Sequence, residues 1–400
     1  MANKLLRRFL SLSFISFCLL TGIGIDSFLR FGQSQAADGT AIPTKPIPDL
    51  YTFPDSTSPP VIEEPNFSDT ITIQAVGDVI PGTNYPNNRL LGDKNLLIPK
   101  SVRAYLQRAD LLFGNLETSL TTYPYSSKDI NKGQIFAFRS PPAYAQLFAD
   151  VGFDVFNIAN NHALDFGPVG LRDTVNNLAE FGINTLGHKN QILYLGVKNV
   201  PVAMIGFTTY DFYNSMQDLA TAKALVQEAK SNAKIVIVSM QAGAEGTSAL
   251  HVKNQTEYFY GEDRGNSIKF ARTMIDAGAD LVVGHGPHVP RAMEIYKGKL
   301  IAYSLGNFLG YRTLSTAGET GYSMILEVKM SSQGDLVGSK IIPVKMDKQG
   351  IPYIDQRFRT VSLLRHLNKN DALNNPVKIN NKGEIVLAET QITANTKLAK

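Results

Sequence analysis

The chain predicts an α/β fold. Three features carry that expectation: short runs rich in Val, Ile, Leu and Phe, polar or glycine turns behind them, and helix-period segments between several of them. The runs cover 71–78 (ITIQAVGD), 110–117 (DLLFGNLE), 154–162 (DVFNIANNH), 202–208 (VAMIGFT), 234–243 (KIVIVSMQAG), 280–288 (DLVVGHGPH) and 300–308 (LIAYSLGNF). Each is short enough for a buried strand. Segment 168–182 sets Leu171, Val175, Leu178 and Phe181 on one helical face, with Pro168 at its start and Gly182 at its end. Segment 266–278 repeats the pattern with Ile268, Ala271 and Ile275. Runs 321–330 and 336–346 follow one another with little helix between, which predicts antiparallel strands closing a second sheet.

The start of the chain has a different composition. Lys4, Arg7 and Arg8 precede an uncharged apolar stretch, 9–25, and small residues near Ala36 offer a cleavage point. Residues 1–36 therefore read as a signal peptide or, uncleaved, as a signal anchor. Either places the folded part outside the cytoplasm, secreted, periplasmic or held to a membrane through 9–25. This leader carries a net +3 of the chain's +4, so the remainder is nearly neutral. No dense Lys/Arg run marks a nucleic-acid footprint. Residues 37–70 hold seven prolines among Ser, Thr and Asp, the composition of an extended linker. The folded domain is expected over 71–370, followed by a loosely packed tail, 371–400. The single cysteine, Cys18, falls in the leader, so the folded part has neither disulfide nor thiolate chemistry.

The apolar runs end on groups that are costly to bury alone. The first ends on Asp78, the second on Asn115 and Glu117, the third on Asn160, Asn161 and His162. The fifth ends on Gln241 with Glu245 close behind, the sixth on His285 and His288, the seventh on Asn307. Singly, each has an ordinary role in a turn or core. Together they describe a shared site, because ligands of α/β sheets bind at the carboxyl ends of strands. Gly284, Gly286 and Pro287 form a tight bend that aims two imidazoles together. Carboxylate, amide and imidazole donors suit Mn, Fe, Zn or Mg. The metal-ligand candidates are Asp78, Glu117, Asn161, Gln241, His285 and His288. His162 is the candidate acid–base residue, and Asn115, Asn160, Glu245 and Asn307 are candidates for binding substrate. Arg139, Arg264 and Arg291 are candidates for a cationic pocket mouth.

The motifs AVGDVIPG, FGNLETSL, NIANNHALDFG, IVIVSMQAGAEG and AGADLVVGHGPHVPRAMEIYKGKLIAYSLGNF resemble, in order, the CapA family of capsule-synthesis proteins tied to poly-γ-glutamate production. The resemblance runs from about residue 71 to 312. It implies a calcineurin-like metallophosphatase fold, a four-layer α/β-β/α sandwich. Asp78 matches that pattern's first metal-ligand Asp, Glu117 or Asn115 its bridging Asp, Asn161 and His162 its Asn-His pair, and His285 and His288 its terminal histidines. Four departures stand out, the first being that the bridging Asp is itself replaced or displaced. Ile80 occupies the place of a ligand His, Gln241 that of another, and the terminal histidines are three apart rather than two. The site would thus hold one or two divalent ions, or none.

Two functions of different class follow. One is an extracytoplasmic factor in capsule polymer biosynthesis or export, acting as a metal-dependent hydrolase or transferase. The other is a non-catalytic accessory protein that binds the anionic polymer or a membrane synthase complex through a degenerate phosphatase pocket. A phosphatase or nucleotidase unrelated to capsule fits less well, because the ligand set is incomplete.

Overall fold

A computed structural model describes residues 70–387 apart from residue 134. The leader, 1–36, and the linker up to residue 69 lie outside the described residues, as do 388–400. No helix of the described residues is long and apolar enough to cross a membrane.

The chain begins with β1 (Ile71–Ile80), α1 (Lys100–Leu106), β2 (Leu111–Leu116), α2 (Tyr144–Val151), β3 (Val155–Asn157), α3 (Gly167–Glu180) and β4 (Asn184–Leu186). It continues through β5 (Leu193–Val197), β6 (Val200–Thr208), α4 (Leu219–Asn232), β7 (Ile235–Gln241), α5 (Ser267–Ala277) and β8 (Leu281–His285). There follow β9 (Met293–Tyr296), β10 (Lys299–Ala302), β11 (Asn307–Gly310), β12 (Tyr322–Met330), β13 (Leu336–Met346), β14 (Pro352–Ile354) and α6 (Arg359–Asn370). One sheet has the order β14-β13-β12-β1-β2-β3-β4, with β11 also paired to β1. The other has the order β9-β10-β8-β7-β6-β5.

Both sheets are buried on two faces, which is why their central strands read as almost continuous apolar runs. Ile73, Phe113 and Val155 of the first sheet share a core with Met204, Ile237 and Val283 of the second. Val76, Leu112 and Phe156 turn the other way, onto Val102 of α1 and Leu147 and Phe148 of α2. On the far side, Val236, Val238 and Val282 pack on Val226 of α4 and Ala271 and Met274 of α5. The layers run helices, sheet, sheet, helices, so the α/β expectation holds. Burying one such Phe or Val side chain contributes about 1.5–3 kcal/mol. Asn266 caps α5 by accepting from Lys269 N at 2.9 Å, and Ile268, Ala271 and Ile275 are buried as the spacing predicts.

Four expectations need correction. Runs 321–330 and 336–346 do pair antiparallel, but they extend the first sheet rather than close another: β12 pairs with β1 from Ile71↔Met330 to Val76↔Ile325. Met324 and Leu326 face the core between the sheets and Ile325 the helix-covered side, the same two-sided burial as β1. The run 300–308 is two strands in different sheets, β10 and β11, and the chain crosses between the sheets at 303–306. On α3 the buried stripe is Gly170, Thr174 and Leu178, while Phe181 beyond its end is exposed. Thr174 wins because its hydroxyl accepts from Leu120 N at 2.9 Å, a bond that an apolar stripe cannot supply. Finally, residues 371–387 are packed, not loose. Val377, Ile379 and Ile385 enter the core between the sheets, and Val377 N donates to Met293 O at 3.1 Å.

Candidate metal centre

Parallel register brings the strand-end residues to one level. Asp78 lies opposite Asn115 on β2 and opposite Asn307 on β11, and Asn115 lies opposite Asn157 on β3. In the second sheet Gln241 lies opposite His285. Glycine permits the approach: a Cβ on Gly77 would lie 1.8 Å from Gly306 O, and Asp78 N donates to that carbonyl at 3.0 Å. Gly286, at φ +102°, lets the bend after β8 sit against the Gln241 side chain, where a Cβ would come within 2.9 Å. His288 itself takes φ +59°, a left-handed conformation that costs a non-glycine residue on the order of 1 kcal/mol or more.

A net of amides holds the two sheets' groups together. Asn115 Nδ2 lies within hydrogen-bond reach of Asp78 Oδ1 (2.8 Å), Glu117 Oε1 (3.0 Å) and Gln241 Oε1 (3.0 Å). Its Oδ1 accepts from Asn157 and Asn160, each at 3.1 Å. Gln241 Nε2 donates to Glu117 Oε1 at 2.8 Å and lies 3.3 Å from Asn161 Oδ1. His288 Nδ1 bonds Asn307 Oδ1 at 2.8 Å and stands 3.0 Å from Asp78 Oδ2. Its Nε2 is 3.7 Å from both Glu117 Oε2 and Glu245 Oε2.

The net stops short of four atoms. Glu117 Oε2 and both ring nitrogens of His285 are buried without a hydrogen-bond partner, and Asp78 Oδ2 has only the His288 Nδ1 contact at 3.0 Å. Asp78 and Glu117 are fully buried, and His285 is 1% exposed. An unmet polar atom in such a place costs about 1–3 kcal/mol. Ligand atoms of Asp78, Glu117 and His288 all lie within 4.8 Å of one another, and His285 Nδ1 is 3.7 Å from Asp78 Oδ1. The two carboxylates and the unbonded His285 imidazole, with His288 beside them, fit a divalent cation of the Mn, Fe, Zn or Mg class, which would take the place of the His288 proton.

The charges follow from this crowding. Burial pulls the His288 imidazole down, but Glu117, Asp78 and Glu245 outweigh it and hold it protonated well above the usual range. Burial also pushes Asp78 up; His288, His285 and the Asn115 amide outweigh that and keep its carboxyl below the usual range. Glu117 is raised by burial and by the neighbouring Asp78 carboxylate. Burial lowers His285 to about 4, so its ring is neutral at pH 7, the form that ligates metal. The His288 imidazolium thus supplies, within the chain, the positive charge that the carboxylates call for.

His162 lies beside this cluster on the loop after β3. Asn160 Oδ1 accepts its backbone N–H at 3.0 Å, and its Nδ1 is 2.9 Å from Asp165 Oδ2. Asp165 is fully buried, pairs with Lys128 Nζ at 2.6 Å, and also accepts from Phe138 N at 2.7 Å. The Phe138 ring packs on the imidazole, centroids 4.7 Å apart. Burial and the Lys128 charge lower the basicity of His162, with Asp165 opposing them. Sequence reasoning missed Asp165, Lys128 and Asn157. The signal for Asp165 was its place three residues behind His162; Lys128, more than thirty residues upstream, left none.

All the expected strand-end residues except His162 and Asn160 border the carboxylate–imidazole group or the Glu117–Gln241 amides directly; Asn160 joins through Asn115. Of the four expected substrate binders, Asn115, Asn160 and Asn307 are buried on protein partners, and Glu245 alone is partly exposed. The expected cationic mouth is corrected in part. Arg291 is fully buried, with a bidentate pair to Glu257 at 2.9 and 2.8 Å. Its guanidinium fills the space that glycine leaves at Gly243. Arg139 bonds Asn84 Oδ1 and Tyr123 O, and Arg264 pairs with Glu245 and Glu262.

Comparison with known proteins places the chain. The PGA biosynthesis protein CapA of Bacillus subtilis (strain 168) is 29% identical over 262 residues, covering 60% of this chain and 63% of that protein. The capsule biosynthesis protein CapA of Bacillus anthracis is 28% identical over 272 residues, 60% of each. A probable polyglutamine synthesis accessory protein of Mycobacterium tuberculosis is 26% identical over 283 residues, covering 62% of this chain and 69% of that protein. The chain thus spans less than two thirds of the length of the two Bacillus proteins. A solved structure, the 5'-nucleotidase precursor of Thermus thermophilus, is similar with a TM-score of 0.42 and 13% identity, over 75% of this chain and 59% of that one. At that score the likeness carries no argument. The family model described as "Bacterial capsule synthesis protein PGA_cap" matches residues 72–312, the stretch that holds every strand-end group of the site, and the chain belongs to that family.

Proposed function

We propose that this chain works outside the cytoplasm in the biosynthesis or export of an anionic capsule polymer of the poly-γ-glutamate type, as a metal-dependent hydrolase or transferase. The observation that carries this reading is the buried Glu117 Oε2 and His285 ring nitrogens, left without hydrogen bonds beside Asp78 and the His288 imidazole. The family and the printed functions of the Bacillus relatives support the polymer. The leader and linker composition supports the location.

Asp78, Glu117, His285 and His288 would hold the cation, with the Gln241 and Asn161 oxygens at its margin. When bound, it would polarise a carbonyl or phosphoryl oxygen and ease deprotonation of a water. The chain's own residues do the rest. Asp165 takes the hydrogen bond of His162 Nδ1 and so fixes the tautomer, leaving Nε2 to accept or donate a proton at the reacting group. Lys128 balances the Asp165 charge, and Phe138 shields the ring from water. Asn160 pins the loop by its bonds to His162 N, Asn115 Oδ1 and Leu116 O.

A second reading, an accessory protein that binds the polymer or a membrane synthase, is favoured by one observation. Asn115, Asn157, Asn160 and Gln241 tie one another and Glu117 Oε1, so much of the cluster is satisfied without a cation. The two readings separate in one assay. Purified full-length protein, loaded with Mn²⁺ or Zn²⁺, is incubated with poly-γ-glutamate and chain length is read on a gel. The enzyme reading expects a length change that EDTA and His162→Ala each abolish. Unaltered length with retained polymer binding selects the accessory reading.

A further inference from the structure

Next to the candidate centre lies a second charged group that the chemistry above does not use. Arg264 is 7% exposed, and its backbone is fixed on both sides: its carbonyl accepts from Gly243 N and its N–H donates to Glu257 O, each at 2.8 Å. Its Nη2 lies 3.1 Å from Glu245 Oε1, and Glu245 Oε2 lies 3.7 Å from His288 Nε2. One carboxylate therefore joins this guanidinium to the metal-centre imidazole. On its other side the Nε is 3.1 Å from Glu262 Oε2 but finds no hydrogen bond there, so a buried N–H of a fixed arginine is left unpartnered.

Glu262 is unlike Arg264. Its side chain is 54% exposed, and it belongs to a short hairpin, Tyr258–Phe259 against Glu262–Asp263, turned at Tyr260 (φ +49°) and Gly261 (φ +83°). Tyr258 and Tyr260 are 64% and 72% exposed. Apart from Arg264, the Glu262 carboxylate takes one bond, from the Tyr210 hydroxyl at 3.1 Å. An ion pair with one exposed partner and poor alignment is weak and readily exchanged. The planar guanidinium is shaped to take a carboxylate through two parallel bonds, and Glu262 does not use that shape.

The geometry points to Arg264 as the specificity-determining cation of the site, which binds a carboxylate of the polymer, and to Glu262 as an internal stand-in that the polymer displaces. This rests on the proposed function, and it names how the anionic substrate class is read. A γ-linked glutamyl chain carries a free carboxylate beside each amide linkage. For a linkage placed at the centre, Arg264, joined to it through Glu245, is the cation positioned to take the carboxylate of a neighbouring unit. A neutral chain has nothing with which to displace Glu262.

The test is fluorescence anisotropy of full-length, Mn²⁺-loaded protein with a labelled γ-glutamyl oligomer and with the same oligomer converted to carboxamides. Glu262→Gln removes the competitor at an exposed position, and the anionic oligomer should then bind several-fold tighter. Arg264→Gln should weaken it by about tenfold or more, the worth of a charge-assisted bond. The carboxamide oligomer should respond to neither change. Because Arg264 is buried, the surface variant decides the matter if Arg264→Gln does not fold. Unchanged or weaker binding of the anionic oligomer to Glu262→Gln overturns the subsite while the polymer reading stands. Binding of neither oligomer by the unaltered protein overturns the polymer reading and the subsite with it.

Discussion

Two glutamates among the described residues are fully buried and are treated in opposite ways. Glu294, on β9, has every lone-pair direction that matters filled: Arg272 Nε reaches Oε1 at 2.8 Å, Arg272 Nη2 reaches Oε2 at 2.7 Å, and Tyr303 donates to Oε1 at 2.6 Å. Glu117, behind β2, has Oε1 held by Asn115 and Gln241, while Oε2 takes no hydrogen bond and has only His288 Nε2 at 3.7 Å. Its carboxyl is raised by burial and by Asp78. Both groups bear the same desolvation burden. In one the chain answers it completely and gains a tie between α5 and the sheet edge. In the other the chain leaves half of it open, and that is the mark of a group kept for a ligand.

The contrast breaks most visibly at Glu294. Removing one partner of a buried pair strands the other, so Glu294→Ala should lose about 3–5 kcal/mol in urea unfolding. A loss under about 1 kcal/mol would mean that the Arg272 charge is solvated in spite of the geometry. The next effect is on rate. If the chain is a hydrolase, His162→Ala should lower turnover about 10²–10⁴-fold with bound metal unchanged, since general acid–base groups contribute that much. Equal loss of metal and rate would make His162 a ligand instead. A smaller effect is expected at Gly286→Ala. The new Cβ meets the Gln241 amide at 2.9 Å from a left-handed backbone, so stability should fall by about 1–3 kcal/mol and Glu117 should lose a donor. The smallest is the sharpest test of the comparison. Glu117→Gln, in metal-free buffer, should keep stability or raise it by about 1 kcal/mol, because burial and Asp78 already push this carboxyl up to about 8 and the amide no longer has a charged form to bury. A loss as large as that of Glu294→Ala would place both glutamates in the same structural class.

The strand ends were legible because burial forces a strand to be apolar until it reaches the site, and the change of character at Asp78, Asn115, Asn160, Gln241 and His285 stands out in the one-dimensional pattern. Register did the remaining work, and periodicity does not encode it. The split of 300–308 into strands of two sheets turns on Gly306 meeting Gly77, a contact between distant segments. The placement of β12 against β1 depends on which edge is open, which an alternating pattern cannot tell. The tail escaped notice because Val377, Ile379 and Ile385 are thinly spread among Asn and Lys, yet each finds the core. Asp165 was hidden by being an acid in a loop, where acids are common. Arg291 was hidden by the opposite bias: arginines are rarely buried, and only the paired Glu257 makes it so.

The central claim is that Asp78, Glu117 and His285, whose buried atoms the chain's own hydrogen bonds leave unmet, hold a cation. Elemental analysis of purified full-length protein, loaded with Mn²⁺ or Zn²⁺ and then desalted, tests it against the double variant Asp78→Ala/His285→Ala. The account predicts about one or two divalent ions per chain in the unaltered protein and none in the variant. An unaltered protein that retains no ion after loading, or a variant that retains as much, would contradict it.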